Sequence, residues 1–146
     1  MRPRRAFPTI ALLIPLMLAG CTDPYGACEK GALDIANGIA AGMKSTDQLR
    51  VSGLISVQEE TRVLGYLKFA NDANGAFGTC VANAHTAGSK AGAYTACATV
   101  FQSTLANPEE LSLIRVNNPQ AQQEVQVLAN AVTTGVTALL TALGGK

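Results

Sequence analysis

The residues of this 146-residue chain that could do chemistry are a few cysteines, a single histidine and two pairs of adjacent glutamates. Thiols can form disulfides, bind metals or act as nucleophiles. A structural zinc site needs cysteines or histidines paired at close spacing. Such pairs are missing and His85 is the single imidazole, so we predict no metal and no metal cofactor. The cysteines are Cys21, Cys28, Cys80 and Cys97.

The histidine and the glutamate pairs are better explained by helix termini than by catalysis. His85 lies near the expected end of a long helix, where a positive charge interacts favourably with the helix dipole. No serine or cysteine in a nucleophile motif accompanies it. Glu59-Glu60 and Glu109-Glu110 fall at expected helix starts, where carboxylates are stabilising. We therefore predict that the protein is not an enzyme and has no catalytic residues.

The first 21 residues are organised like an export signal. Arg2, Arg4 and Arg5 form a positive start, and the apolar run AFPTIALLIPLMLA follows. This run is shorter than the roughly 20 apolar residues of a membrane-spanning helix, and is typical of a signal peptide. It leads into Leu18-Ala19-Gly20-Cys21. This ending resembles the lipobox of bacterial lipoprotein precursors.

The resemblance implies that residues 1–20 are a cleaved signal peptide and that Cys21 carries a covalent lipid, a thioether-linked diacylglycerol, with a further acyl chain on its new amine. Two or more acyl chains anchor a protein stably in a membrane, whereas one is marginal. Thr22 rather than Asp follows Cys21. By resemblance to the sorting rule of enteric bacteria, this favours the periplasmic face of the outer membrane in a Gram-negative host. The alternatives are an ordinary cleaved signal peptide and, for Arg4-Arg5, export by the twin-arginine route.

The chain without its signal has the size and composition of one small helical domain. Removing 20 of the 146 residues lowers the Lys and Arg count from 11 to 8 against 10 acids, so the net charge changes from +1 to −2. No run of basic residues survives, which argues against nucleic acid as a partner. Trp is absent and aromatic residues make up 5% of the chain, so we expect no surface for stacking on bases or sugars.

Hydrophobic spacing and capping signals predict an all-α fold, a small antiparallel bundle of about four helices. Glu109 to Val116 reads either as a short helix or as an extended crossover. Residues 21–26 are assigned to a lipidated tether and 27–146 to the bundle. On the third helix, the expected core positions are Ala93, Cys97, Val100 and Thr104, flanked by Phe101 and Leu105. The predicted helices cover residues 27–50, 57–87, 90–105 and 119–143.

A disulfide is predicted between Cys80 and Cys97. Cys80 lies eight residues before Gly88 and Cys97 eight residues after Ser89. If Gly88 and Ser89 form the turn of a helical hairpin, the two cysteines lie at the same height on neighbouring helices, as a disulfide requires. The alternative is two buried free thiols. Cys28 is left over on an apolar stripe, where burial is expected, with a bond to a partner chain or a reactive thiol as alternatives.

The first functional hypothesis is a lipid-anchored, non-enzymatic protein of the cell envelope with a structural or protein-interaction role. Its partners would be the membrane, through the lipid, and an unknown envelope protein. Gly38 and Gly42 have the small-x-x-x-small spacing that lets helices approach closely. That spacing indicates tight packing within the bundle or, as the alternative, a homo-oligomer.

The second hypothesis is a binding module that holds a small apolar or amphipathic ligand between its helices. Asn74, Phe77 and Val81 are the candidate lining residues, and a cavity lined by Phe77, Val81 and Val132 would favour this function. An enzyme or a redox protein that uses the thiols is a third and weaker hypothesis, which an exposed Cys28 would support.

Overall fold

The computed structural model describes residues 23–144, which form five α-helices and, within that range, no strand. The four longer helices enclose one hydrophobic core: α1 and α3 each pack against both α2 and α5. The predicted all-α bundle is therefore confirmed. The predicted signal peptide and Cys21, the predicted lipidation site, lie outside the described residues. The helices are α1 (Pro24–Val51), α2 (Val57–Thr86), α3 (Ala91–Leu105), α4 (Pro108–Ser112) and α5 (Pro119–Ala142).

The first helix begins three residues earlier than the sequence suggested. Asp23 is its N-cap and accepts a 3.1 Å hydrogen bond from the N–H of Tyr25. Pro24 takes the first helical position, where proline needs no N–H partner and its fixed φ suits a helix. Residues 24–26, assigned above to the tether, therefore belong to the first turn of α1.

The turns between the first three helices follow the sequence signals. Gly53, just after α1, has a φ of +76°, and Gly88, just after α2, has a φ of +64°. Both are left-handed conformations that glycine adopts at little cost. Between α1 and α2, Ser56 and Glu59 form the predicted capping box at the start of α2.

The core face of α3 differs from the expected one. Val100 is 65% exposed, whereas Tyr94, Ala98 and Phe101 are buried together with Cys97. The Phe101 ring stacks on Phe77 of α2 with ring centroids 5.2 Å apart. Burying two aromatic rings removes more apolar surface from water than burying Val100 would, and this sets the rotation of α3 in the bundle.

The ambiguous segment between α3 and α5 begins as a short helix. Pro108–Ser112 forms α4, and Ile114 beyond it is buried while Leu111 is 37% exposed. The backbone N–H of Asn117 then donates a 2.7 Å hydrogen bond to Glu59 at the start of α2. This connection is therefore fixed by the burial of Ile114 in the core and by a hydrogen bond to α2.

Within residues 23–144, α5 is the one helix long and apolar enough to cross a membrane, with a mean hydropathy of 1.4 over its most apolar window. One face of the helix packs in the bundle core. Its buried residues are Ala121, Val125, Ala129, Val132, Val136 and Leu139. The hydropathy of α5 is thus compatible with membrane association, and packing in the core buries 28% of its most apolar window.

Candidate functional site

A groove that opens to solvent lies between the first turns of α1 and the last turns of α2. Its volume is about 220 Å³, below the roughly 300–1,000 Å³ of typical small-molecule pockets. The lining positions follow the i, i+3, i+4 spacing on each helix, so they share one helical face. They are Tyr25, Cys28, Glu29 and Ala32 on α1, and Gly78, Val81 and Ala82 on α2.

Cys28 lies at the buried base of this groove. Its side chain is fully buried, as predicted, and it is a free thiol. Burial, with a smaller contribution from the negative charge of Asp23, raises the pKa of Cys28 to about 11. A thiol with this pKa stays protonated at neutral pH and is a poor nucleophile. An exposed Cys28 would support the redox hypothesis, whereas Cys28 is buried in the structure.

One side of the open rim of the groove carries a polar contact and, next to it, a ring stack. The hydroxyl of Tyr25 donates a 2.7 Å hydrogen bond to Glu29 Oε1, and this bond raises the pKa of Tyr25. The Tyr25 ring stacks on the imidazole of His85, with centroids 3.8 Å apart. His85 lies in the last turn of α2, as expected, but its partner was missed because Tyr25 was assigned to the tether. The Asp23-Pro24 pair is the sequence signal that would have placed Tyr25 on α1.

The three predicted ligand-lining residues have three different environments. Val81 lines the groove. Asn74 is buried between α1 and α2, where its Nδ2 donates a 2.9 Å hydrogen bond to the carbonyl of Ala32, while its Oδ1 has no partner among residues 23–144. Phe77 faces α3 and stacks on Phe101. Val132 is buried in the core, so the structure does not bring these residues together around one cavity.

The cysteine pair of the α2–α3 hairpin has the geometry that the sequence predicted. Cys80 and Cys97 lie at disulfide distance, with their Cα atoms 5.8 Å apart. Cys97 belongs to the buried face of α3, whereas Cys80 lies on the exposed side of α2. The pair closes the hairpin at mid-height.

The closely spaced glycines of α1 are not equivalent. A Cβ atom added at Gly42 would lie 3.3 Å from Leu67 and 3.6 Å from Leu128, so the absence of a side chain lets α1 approach α2 and α5. A Cβ atom at Gly38 would meet nothing within 4 Å. At Gly42 the small-residue spacing therefore serves packing within the bundle.

No group of three or more His, Cys, Asp or Glu side chains in the part of the chain from 23 to 144 could hold a metal ion. Comparison with protein-family models, with curated proteins and with solved structures gives no match. Functional inference for this protein therefore depends on its own residues.

Proposed function

We propose that the protein is a lipid-anchored, non-enzymatic lipoprotein of the bacterial cell envelope, in which the bundle has a structural or protein-interaction role. The observation that carries this proposal is Leu18-Ala19-Gly20-Cys21, placed directly behind a positive start and an apolar run. The mature protein then begins at Cys21 with its covalent lipid. In a Gram-negative host it lies on the periplasmic face of the outer membrane.

The start of α1 supports a role close to the membrane. The helix begins at Pro24, so two residues separate it from Cys21. Three residue steps of extended chain reach at most about 10 Å. An anchor this short holds one end of the bundle close to the membrane surface.

The cysteine pair supports export from the cytoplasm. Disulfides persist in oxidising compartments such as the periplasm and are rare where thiols are kept reduced. Cys80 and Cys97 are at disulfide distance, and Cys80 is on the protein surface, where a cytosolic reductant would reach it. An envelope location accounts for both features.

The exposed face of α5 suits a protein partner. It carries a row of uncharged polar side chains, which can form hydrogen bonds across an interface without the large desolvation cost of charged groups. The opposite face of the helix is fixed in the core, so the row is presented rigidly. Its members are Gln120, Gln123, Gln126, Asn130, Thr133 and Thr137.

The anchor is tested by expressing the full chain and its Cys21→Ala variant in bacteria fed an alkyne-tagged fatty acid. We expect label on the wild-type protein, with the signal removed, and an unlabelled, unprocessed Cys21→Ala chain. Cys28→Ala is the matched control, since it removes another cysteine and should leave both readouts unchanged. Equal labelling and processing of the Cys21→Ala chain would contradict the proposal.

The interaction role is tested by native mass spectrometry of the protein released gently from its own membranes in detergent. A stoichiometric protein companion that is lost on substituting Gln123 and Gln126 with arginine supports the proposed face of α5. The control is a variant in which Lys44 and Gln48, on the exposed side of α1, are substituted instead. This variant should still bind the protein companion. A lipidated monomer without any companion would reduce the role to a passive structural one.

A binding module for a small apolar or amphipathic ligand is the second candidate function. The observation that favours it is the groove lined in part by Val81. A small-molecule adduct that persists on the monomer in the same spectra would support this candidate over the first.

A further inference from the structure

We propose that the groove between α1 and α2 holds part of one acyl chain of the lipid on Cys21, so that the bundle shelters a portion of its own anchor. This inference rests on the lipid anchor proposed above. It assigns the groove to one occupant, a group covalently attached to the same chain just before the described residues begin.

The distance along the chain permits this contact. Tyr25, which lines the groove, follows Cys21 by four residues, so the groove begins within about 14 Å of the lipid attachment point. An acyl chain spans one leaflet, half of the roughly 30 Å hydrocarbon core, or about 15 Å. A chain attached at Cys21 is thus long enough to enter the groove while its sister chain stays in the membrane.

The lining has the chemistry that an acyl chain requires. Ala32, Val81 and Ala82 present aliphatic side chains, and the buried thiol of Cys28 is protonated and behaves as a small apolar group. The two polar groups at the rim, Tyr25 and Glu29, are hydrogen-bonded to each other. The wall that faces a ligand is therefore mainly apolar.

The size and shape of the groove favour one chain over a whole lipid or a larger ligand. A volume of about 220 Å³ is too small for a two-chain lipid and below the usual range for a small-molecule pocket. At Gly78, on the α2 side, a Cβ atom would meet nothing within 4 Å. A side chain introduced at Gly78 would occupy the space that the acyl chain needs.

The test uses the full-length protein made in bacteria that incorporate a fatty acid with a diazirine group near the end of its chain. The lipoprotein is purified in detergent, irradiated, reduced and digested with trypsin, which cuts after Lys30, Lys68 and Lys90. The diagnostic product is the lipidated peptide 21–30 joined to peptide 69–90, which contains the α2 side of the groove. We expect this product from the wild-type monomer.

Two substitutions on α2 give a matched pair. Gly78→Leu fills the groove. Gly75→Leu adds the same side chain to the same helix at an exposed position where, as at Gly78, a Cβ atom meets nothing within 4 Å. Leucine is a better helix former than glycine, so both variants should fold, as circular dichroism would verify. We expect most of the diagnostic product to be lost in Gly78→Leu and retained in Gly75→Leu.

Four results would overturn the inference. They are cross-links spread evenly over all helices, a groove peptide that carries lipid without peptide 21–30, a product found only in dimers, and equal yields from the two leucine variants. The second result would assign the groove to free membrane lipid, and the third to the anchor of a second copy. A polypeptide without acyl label on Cys21 would contradict the lipid anchor itself. A labelled Cys21 without the diagnostic product would contradict only the placement of the acyl chain in the groove.

Discussion

The carboxylate of Glu59 joins two parts of the chain that are 58 residues apart. Its Oε1 accepts a 2.7 Å hydrogen bond from the backbone N–H of Asn117, and its Oε2 accepts bonds of 2.8 and 2.9 Å from the N–H and hydroxyl of Ser56. One side chain thus caps α2 and holds the segment that leads into α5. The sequence analysis assigned Glu59 to the helix start. The structure adds a second role, the hydrogen bond to the distant Asn117.

Because of these bonds, we expect the free energy of unfolding of the bundle to decrease at low pH. Hydrogen bonds from Ser56 and Asn117 lower the pKa of Glu59 below the ordinary 4.5. A carboxyl group with a lowered folded-state pKa contributes stability that is fully present above the unfolded-state pKa and is lost as the pH falls through the folded-state pKa. We expect urea unfolding to show a fall in stability below about pH 4.5 that is smaller in Glu59→Gln.

Glu109→Gln is the control for this measurement. Glu109 also lies in the first turn of a helix, but it is exposed and spans no distant segment. We expect its pH profile to follow that of the wild type. Identical profiles for wild type and Glu59→Gln would contradict the assigned role of Glu59.

The cap of α2 can be tested through its serine. The hydroxyl oxygen of Ser56 accepts a 3.2 Å hydrogen bond from the N–H of Glu59. Loss of such an N-cap costs about 1 kcal/mol, so Ser56→Ala should lower the free energy of unfolding by about this amount. Ser103→Ala, on an exposed side of α3, should change it little. A comparable loss in both variants would mean that the cap is not the cause.

We expect the predicted Cys80–Cys97 disulfide to stabilise the bundle. Cys80 and Cys97 are 17 residues apart in sequence, and closing a loop of this size stabilises by about 3 kcal/mol in the chain-entropy model. We expect the double variant Cys80→Ala/Cys97→Ala to unfold at lower urea concentration and to be insensitive to reductant. Cys28→Ala should respond to reductant as the wild type does. A wild-type protein whose stability is unchanged by reductant would contradict this expectation.

The buried thiol should be unreactive in the folded protein. With a pKa of about 11, Cys28 has almost no thiolate at pH 8, where an ordinary cysteine is partly ionised. We expect iodoacetamide to modify Cys28 only after unfolding in urea. In reduced protein, the exposed Cys80 is an internal control that should react quickly. Equal rates at Cys28 and reduced Cys80 in the native state would show that Cys28 is accessible.

Local signals predicted the helix boundaries well because caps and glycine turns act within a few residues. The stop at Gly53 places the end of α1 to within one residue, and the Ser56–Glu59 capping box places the start of α2 correctly. The level pairing of Cys80 with Cys97 followed from the symmetry of a hairpin whose centre lies between Gly88 and Ser89. In each case the physical cause lies within one helix or one turn.

Features that depend on packing between distant segments were not predictable in this way. The rotation of α3 is set by the stack of Phe101 on Phe77, so Val100, which suits the local spacing, points outward. The antiparallel packing of α1 and α2 places the start of α1 beside the end of α2, but the stack of Tyr25 on His85 joins two residues that no local pattern pairs. Periodicity along one helix contains no information on which residue of another helix it will meet.

The most direct test of the lipid anchor is the intact mass of the protein extracted from bacterial membranes. We expect the mass of residues 21–146 with a diacylglycerol and a further acyl chain, less two hydrogens for the Cys80–Cys97 disulfide. The mass of the unprocessed 146-residue chain, or of a chain beginning at an unmodified Cys21, would contradict the proposed function.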